Sequence, residues 1–134
     1  MGTSERRERQ RLEMRSKILT AARELFVEHG YDAVTMRKIA EKIEYTPTAI
    51  YFHFKDKEAL TRALCAEDFQ AFNETFRPLA KIKDPVERVA KTGEAYIRFG
   101  IDHPNHYRWI FMTPHPEHEE DFAEDDGLTA DVDR

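Results

Sequence analysis

Residues 35–57 read TMRKIAEKIEYTPTAIYFHFKDK and predict two short helices separated by a tight turn. Thr35 suits the N-cap of the first helix, because its hydroxyl can accept a hydrogen bond from an unpaired backbone N–H. Thr46 suits the same position of the second helix, and Pro47 follows it at the first helical position, where a missing N–H costs nothing. Glu44 lies in the turn between them. Two capped helices joined by so short a turn indicate a helix-turn-helix.

The second helix has too few apolar residues to be a core helix. Ile50, together with Phe52 or Phe54, can anchor it inward, which leaves its first turn and one side facing out. Small hydroxyl-bearing side chains there would let the backbone approach base edges in a major groove about 12 Å wide. Helix N-termini and hydroxyls also suit phosphate oxygens. The alternative interpretation is an ordinary three-helix hairpin with a threonine-rich surface.

Several segments around this motif resemble the DNA-binding domain of TetR/AcrR-type transcriptional regulators. The resemblance covers residues 18–64 and rests on Gly30 and Tyr31 through Thr35, Ile39 with Ala40, Thr46 to Phe54, and Lys57 to Leu60. It implies phosphate contacts from Thr35, Tyr51, His53 and Lys57. It places Thr46, Pro47, Thr48 and Ala49 nearest the bases. Arg37 and Phe52 complete the predicted DNA-binding set.

Two positions depart from the family pattern. The family usually has Gly in the turn between the two helices, where this chain has Glu44. If the turn keeps a left-handed residue, Glu44 bears a strain of about 1 kcal/mol. Gly is also common where Thr48 stands, so the base preference cannot be taken over from relatives.

Composition predicts an all-α chain, with few Gly and no strand-like alternation among its 134 residues. No apolar run approaches the length needed to span a membrane. No apolar segment follows the N-terminal arginines, so the sequence predicts no signal peptide. Cys65 is the only cysteine, which excludes an intramolecular disulfide and favours a cytoplasmic protein. The scattered glycines form no phosphate-binding loop, so we expect no enzyme, and we predict no cofactor and no metal.

Charge is distributed unevenly along the chain. Residues 1–62 hold 13 Lys and Arg against 10 Asp and Glu, whereas residues 63–134 hold 8 against 16. The net charge of −5 therefore hides a basic segment around the helix-turn-helix, as expected where a protein meets phosphate. The excess is modest, so the motif carries the interpretation.

The pattern predicts four segments. Residues 1–12 form a basic arm, either a solvated helix extension or an arm that orders on DNA with an arginine in the minor groove. Residues 13–62 form the three-helix helix-turn-helix domain, and residues 63–116 form a partial helical domain for ligand binding or dimerisation. Residues 117–134 read as a disordered acidic tail. His115 and His118 could bind a metal ion beside its acidic residues, but the segment has no rigid frame, so we predict no site there.

Helix boundaries follow from caps and breakers. The first clear helix runs from about Glu13 to His29, with Gly30 as its C-cap. Asp56 caps a helix that ends at about Phe76, before Arg77 and Pro78. A loop over residues 79–83 leads to a helix capped by Asp84 and ended near His103, and a short aromatic helix covers residues 107–112.

Aromatic residues of the second domain are candidates for an effector pocket, as in the resembling family. They are Phe72, Tyr96, Phe99, Tyr107, Trp109 and Phe111. The alternative is that they are ordinary core residues, because aromatic side chains at this spacing more often pack in a core than line a ligand pocket.

The predicted function is a sequence-specific DNA-binding transcriptional regulator, a repressor relieved by a small molecule. It would act as a homodimer, because two reading helices about 34 Å apart match one turn of a palindromic operator. The partners expected are thus double-stranded DNA, a second copy and a small-molecule effector, with no membrane. The alternative is a truncated interaction protein that pairs with a full-length relative and modulates it.

Overall fold

The computed structural model describes residues 2–114, which form six α-helices and connecting turns. The helices are α1 (Thr3–His29), α2 (Met36–Lys42), α3 (Pro47–His53), α4 (Lys57–Phe76), α5 (Pro85–Asp102) and α6 (Pro104–Tyr107). A 3-10 helix, Arg77–Lys81, follows α4, and a π-helical turn, Arg108–Met112, continues α6. The prediction of an all-α chain, with a helix-turn-helix followed by a partial helical region, is confirmed. The predicted acidic tail and the two histidines considered as metal ligands lie outside the described residues.

Side-chain caps begin four of the helices at the residues that the sequence indicates. Thr35 accepts a hydrogen bond from the backbone N–H of Lys38 at 3.2 Å, and Thr46 accepts one from Ala49 at 3.3 Å. The carboxylate of Asp56 accepts from the N–H of Ala59 at 2.8 Å. Asp84 in turn accepts from Val86 at 3.3 Å. Each cap satisfies a donor that the first helical turn leaves unpaired.

Helix α1 begins at Thr3 rather than near Glu13, so residues 3–12 continue the helix without a break. This agrees with the helix-extension alternative for residues 1–12, whose turns carry no apolar stripe. Arg11 pairs with Glu8 across one turn at 2.6 Å, and this exposed ion pair follows helical spacing. The helix ends at Gly30, whose N–H donates to the Phe26 carbonyl at 2.9 Å.

The core of the helix-turn-helix collects one side of each of its helices. Its fully buried side chains are Ile18, Leu19, Ala22 and Phe26 of α1, Ile39 and Ala40 of α2, Ile50 of α3, and Leu60 and Leu64 of α4. Burial of these side chains, at about 1.5–3 kcal/mol for each of the larger ones, sets the orientation of α3. Helix α1 is therefore the buttress of the motif, as the sequence indicates.

A second set of contacts joins α1 to the later helices. The Arg23 guanidinium binds both oxygens of Asp68 in α4, at 2.8 Å and 2.5 Å, and both residues are buried. The Trp109 ring stacks on Phe26 with centroids 5.0 Å apart. His106 lies 3.8 Å from Asp68. Burial lowers the pKa of His106 most, and the positive charge of Arg23 lowers it further, whereas the negative charge of Asp68 raises it. These contacts fix the later helices against the buttress of the motif.

The predicted loop over residues 79–83 is partly helical, because the 3-10 helix occupies Arg77–Lys81 with Pro78 in its first turn. Helix α4 ends at Phe76, as predicted. The fixed φ of Pro78 suits the first turn of a helix, so the chain continues as a 3-10 helix. Helix α5 buries only Phe99 fully. Among the described residues, no helix is long and apolar enough to cross a membrane.

Candidate nucleic-acid interface

Helix α3 lies at the surface and is held from one side only. Ile50 is fully buried and Phe54 is 4% exposed, so these two side chains are the anchors. Phe52 is 83% exposed and points away from the core. Of the two phenylalanines predicted as possible anchors, Phe54 is therefore the one that is buried. Tyr51 beside it is 52% exposed. The geometry leaves one long side of α3 open to a partner.

The turn before α3 is a Schellman motif built around Glu44. The N–H of Tyr45 donates to the Ala40 carbonyl at 2.9 Å, and the N–H of Glu44 donates to the Glu41 carbonyl at 3.1 Å. Glu44 has a φ of 61°, the left-handed conformation that usually calls for glycine. The conformation expected of this residue from the family pattern is therefore present. The motif ends α2 abruptly and directs the chain into α3.

The predicted DNA-binding side chains fall on one continuous surface around the α2–α3 turn and the open side of α3. The exposed ones are Thr35, Arg37, Thr46, Thr48, Tyr51 and Phe52, and the half-buried ones are Pro47, Ala49, His53 and Lys57. Both threonine N-caps belong to the exposed group, so the N-termini of α2 and α3 are open to solvent. Backbone N–H groups at such termini attract anions.

Lys57 is engaged within the protein. Its ammonium group donates to the Tyr31 carbonyl at 2.5 Å and lies 3.9 Å from the centre of the Tyr31 ring. Burial lowers the pKa of Lys57, and the nearby Asp32 opposes that effect. The geometry shows Lys57 fixing the loop after α1, and its contact with phosphate stays a prediction.

His53 lies at the end of α3 that faces α1. Burial, and then the positive charges of Arg11 and Arg15, lower the pKa of His53. The Arg15 guanidinium also covers the Phe54 ring at 4.7 Å. The N-terminal half of α1 therefore brings positive charge beside α3, and a phosphate placed there would raise the same pKa.

Two cations near this surface were missed by the sequence analysis. Arg15 packs against Phe54, a contact that depends on the crossing of α1 and α3 and has no local signal. Lys55 is exposed in the turn between α3 and α4. Its position directly after the YFHF segment was available in the sequence and could have suggested it.

Five of the six effector-pocket candidates form a single aromatic cluster between α4, α5 and α6. The Phe72 ring lies 5.2 Å from both Phe99 and Phe111, and the Tyr96 and Tyr107 hydroxyls are 2.9 Å apart. This hydrogen bond raises the pKa of Tyr96. The sixth candidate, Trp109, is buried and stacks on Phe26 at the junction with α1.

An open groove of about 660 Å³ lies beside this cluster. Phe72 and Phe76 of α4 form one wall. The other wall is formed by α5, through Arg88, Val89, Thr92, Gly93 and Tyr96. Phe76 and Thr92 were not among the residues predicted to line an effector pocket. Within residues 2–114, no group of three or more side chains could hold a metal ion.

The described geometry is that of a helix-turn-helix domain with an exposed second helix and its buttress. Residues 18–64 match the family model described as bacterial regulatory proteins, tetR family. Residues 18–64 are therefore a DNA-binding domain of the type that the TetR/AcrR family of regulators shares.

Relatives agree with this assignment. The HTH-type transcriptional regulator UidR of Escherichia coli is 36% identical over 75 residues, which are 56% of this chain and 35% of that protein. The HTH-type transcriptional repressor AcnR of Corynebacterium efficiens is 34% identical over 97 residues, 72% of this chain and 45% of that protein. The chain thus spans less than half the length of these curated relatives. Their names describe regulators, in agreement with the prediction of a non-enzymatic protein.

Solved structures show the same fold. A TetR family transcription regulator from Marinobacter aquaeolei has a TM-score of 0.66 and 26% identity, over 75% of this chain and 54% of that one. A TetR-like transcriptional regulator from Rhodococcus has a TM-score of 0.70 over 87% of this chain and 63% of that one. At 20% identity, the second likeness concerns the fold alone.

Proposed function

We propose that this protein is a sequence-specific DNA-binding transcriptional regulator, a repressor that acts in the cytoplasm as a homodimer on a palindromic operator. The observation that carries the proposal is the exposure of α3, which is anchored by Ile50 and Phe54 and bears Thr46, Thr48 and Tyr51 outward. A helix presented in this way can enter the major groove with its first turn toward the bases. The names of the relatives, regulator and repressor, support the same class.

The proposed contacts divide into two kinds. We assign Tyr51, Thr35, Arg37 and Lys55, which are all exposed, to contacts with phosphate oxygens on either side of the groove. Thr48 lies on the first turn of α3, where a side chain can reach base edges. Phosphate contacts fix the orientation of the protein, and base contacts select the sequence.

Two substitutions on α3 test this division by fluorescence anisotropy with labelled duplexes at fixed salt. Tyr51→Phe removes a hydroxyl that we assign to phosphate, and we expect a loss of affinity of about tenfold on every duplex, as for a hydrogen bond to a charged group. Thr48→Ala should instead change the order in which duplexes are preferred. Tyr96→Phe, which removes a hydroxyl from α5, is the matched control and should bind as the unchanged protein does. Unaltered binding by both α3 variants would contradict the assignment.

Relief by a small molecule is the finer part of the proposal. The groove between α4 and α5 supports it, because its size and its walls of Phe72, Phe76 and Tyr96 suit a flat apolar ligand. Helix α4 begins beside α3 and ends at this groove, so an occupant that shifts α4 would also shift the reading helix. We propose an effector of that chemistry for this groove.

The alternative function, an interaction protein that modulates a full-length relative, is favoured by one observation, the exposed apolar side of α5. Sedimentation of the pure chain with and without duplex DNA separates the two functions. Binding of DNA by the chain alone supports the regulator. A chain that binds DNA only after a relative is added supports the alternative.

A further inference from the structure

Phe52 is the most exposed of the large apolar side chains within residues 2–114, at 83%. Its ring contacts the neighbouring His53 ring edge to face, with centroids 5.4 Å apart, and most of its surface is open to solvent. A single exposed apolar side chain is ordinary on a protein surface, so exposure alone does not assign a function to Phe52. The second observation is where Phe52 lies on α3.

Phe52 lies on the side of α3 that faces directly away from the core. At about 100° per residue, Phe52 is about 200° and Thr48 about 160° round the helix from the buried anchor Ile50. Phe52 and Thr48 are also four residues apart, which places them on one face of a helix, and both are exposed. A partner that approaches the open side of α3 therefore meets these two side chains first.

Charges near Phe52 indicate the kind of partner. Helix α3 carries no acidic residue, and Lys55 is exposed three positions after Phe52. Arg11 and Arg15 of α1 lie close enough to lower the pKa of His53, after the larger effect of burial. A groove of duplex DNA has phosphates along both edges and base edges along its floor, so it matches an apolar side chain with cations around it.

The chemistry of the major groove narrows what Phe52 can contact there. Base edges in that groove present hydrogen-bond donors and acceptors, and thymine adds the apolar C5-methyl group. A phenylalanine side chain has no donor and no acceptor, so it cannot pair with the polar groups. It can pack on the thymine methyl group, and both apolar surfaces then leave water.

We propose that Phe52 is a specificity-determining residue, which selects thymine by packing on its C5-methyl group in the major groove. The inference rests on the proposed function, since it names a base that α3 would read. Phe52 lies about 6 Å from Thr48 along the axis of α3. Because nucleotides of one strand follow each other at about 3.4 Å, the selected thymine lies within about two base pairs of the position that Thr48→Ala affects.

Replacement of thymine by uracil tests the proposal, because uracil forms the same base pair and lacks only the methyl group. A duplex that the full chain selects from a random pool is made with each thymine replaced in turn. Fluorescence anisotropy at fixed salt then gives the affinities. We expect one replacement in a half-site to weaken binding by about fourfold, as for the loss of one buried methyl group.

The same duplexes are measured with Phe52→Ala, whose side chain is too short to reach the methyl group from the same backbone. This variant should bind the thymine duplex more weakly than the unchanged protein does, and it should bind the thymine and uracil duplexes equally. Because Phe52 is mostly exposed and alanine favours a helix, the variant should keep the fold, which circular dichroism checks.

Tyr51→Phe is the matched control on the same helix. It removes a hydroxyl that we assign to phosphate, so it should weaken binding to every duplex alike and leave the ratio between thymine and uracil unchanged. A lost ratio in Phe52→Ala with a kept ratio in Tyr51→Phe separates contact with the methyl group from a general loss of affinity.

Two results would overturn the role of Phe52 and leave the reading role of α3 standing. One is a selected duplex in which no uracil replacement weakens binding. The other is the same thymine-to-uracil ratio in Phe52→Ala as in the unchanged protein, since Phe52 would then lie against sugar or solvent. A chain that enriches no duplex would instead overturn the proposed function, and the role of Phe52 with it.

Discussion

Glu44 holds the left-handed position that closes the turn between α2 and α3, with a φ of 61°. The side chain is exposed, so the left-handed backbone is not imposed by burial of the carboxylate. The two backbone hydrogen bonds of the Schellman motif, from Glu44 to Glu41 and from Tyr45 to Ala40, hold the conformation. This conformation costs free energy in a residue with a Cβ atom, and it does not in glycine.

Glu44→Gly should therefore stabilise the protein by about 0.5–1 kcal/mol, because relief of backbone strain exceeds the added entropy of the unfolded chain. The measurement is chemical denaturation followed by circular dichroism. Glu41→Gly is the matched control, since Glu41 lies within α2 and glycine there should destabilise by about 1 kcal/mol. A loss of stability in Glu44→Gly would mean that the turn is not strained.

Single residues were predictable from the sequence where their role is local. The caps Thr35, Thr46 and Asp56 act on N–H groups three residues ahead, so their spacing alone identifies them. Phe52 and Lys57 depend on tertiary packing. Whether Phe52 points inward depends on where α1 crosses α3, and the Tyr31 carbonyl that Lys57 binds is 26 residues away in sequence.

At the scale of elements, the buried Arg23–Asp68 pair ties α1 to α4. Its two residues are 45 positions apart, and neither stands out in the sequence, because Arg and Asp on amphipathic helices are usually solvated. A buried ion pair gives little net stability against an apolar pair, but removal of one partner leaves an uncompensated buried charge. The pair therefore fixes how α4 lies against the buttress rather than adding stability.

Asp68→Ala should accordingly destabilise the protein by about 3 kcal/mol, since it leaves the buried Arg23 guanidinium with only the half-exposed Glu67 carboxylate, 3.9 Å away, as an ion-pair partner. The double variant Arg23→Met, Asp68→Leu should recover most of that loss. Denaturation followed by the fluorescence of Trp109, the only tryptophan and a neighbour of α1, reports the change. A cost of less than about 1 kcal/mol for Asp68→Ala would mean that Glu67 or solvent compensates the Arg23 charge, and would contradict the role of the pair.

The N-terminal turns of α1 are the other element whose role can be measured. They carry Arg6, Arg7 and Arg9 as exposed residues, and Arg11 lies close enough to α3 to influence His53. We propose that this helical extension meets DNA beside the reading helix. Deletion of residues 1–11 should weaken DNA binding and flatten its dependence on salt, by about 0.9 in the logarithmic slope for each phosphate that the shortened protein no longer neutralises.

The matched control keeps the extension and replaces Arg6, Arg7, Arg9 and Arg11 with alanine, which preserves the helix and removes the same four positive charges. It should reproduce the smaller salt slope of the deletion. Equal affinity and an equal salt slope for the deleted and intact proteins would show that the extension does not contact DNA.

At the scale of the whole molecule, the fold class, the helix-turn-helix and most helix ends could be read from capping residues and apolar spacing. For residues 1–12 the sequence left two alternatives, a helix extension and an arm that orders on DNA, because helical residues without an apolar stripe resemble a solvated arm in sequence. The stacking of Trp109 on Phe26 depends on how the chain after α6 turns back onto α1, which periodicity does not encode. The contacts with DNA, effector and second copy remain proposals.

Helix α3 is the element that we propose reads DNA. The proposed repression, and its relief by an effector, both depend on that role. The most direct test is selection of duplexes from a random pool by the full chain at a stated salt concentration, with Tyr51→Ala selected in parallel. We predict a consensus of two inverted half-sites whose centres lie about one helical turn, or roughly 34 Å, apart, with recovery greatly reduced for Tyr51→Ala. No enrichment by the unchanged chain, or the same enrichment by Tyr51→Ala, would contradict this role for α3.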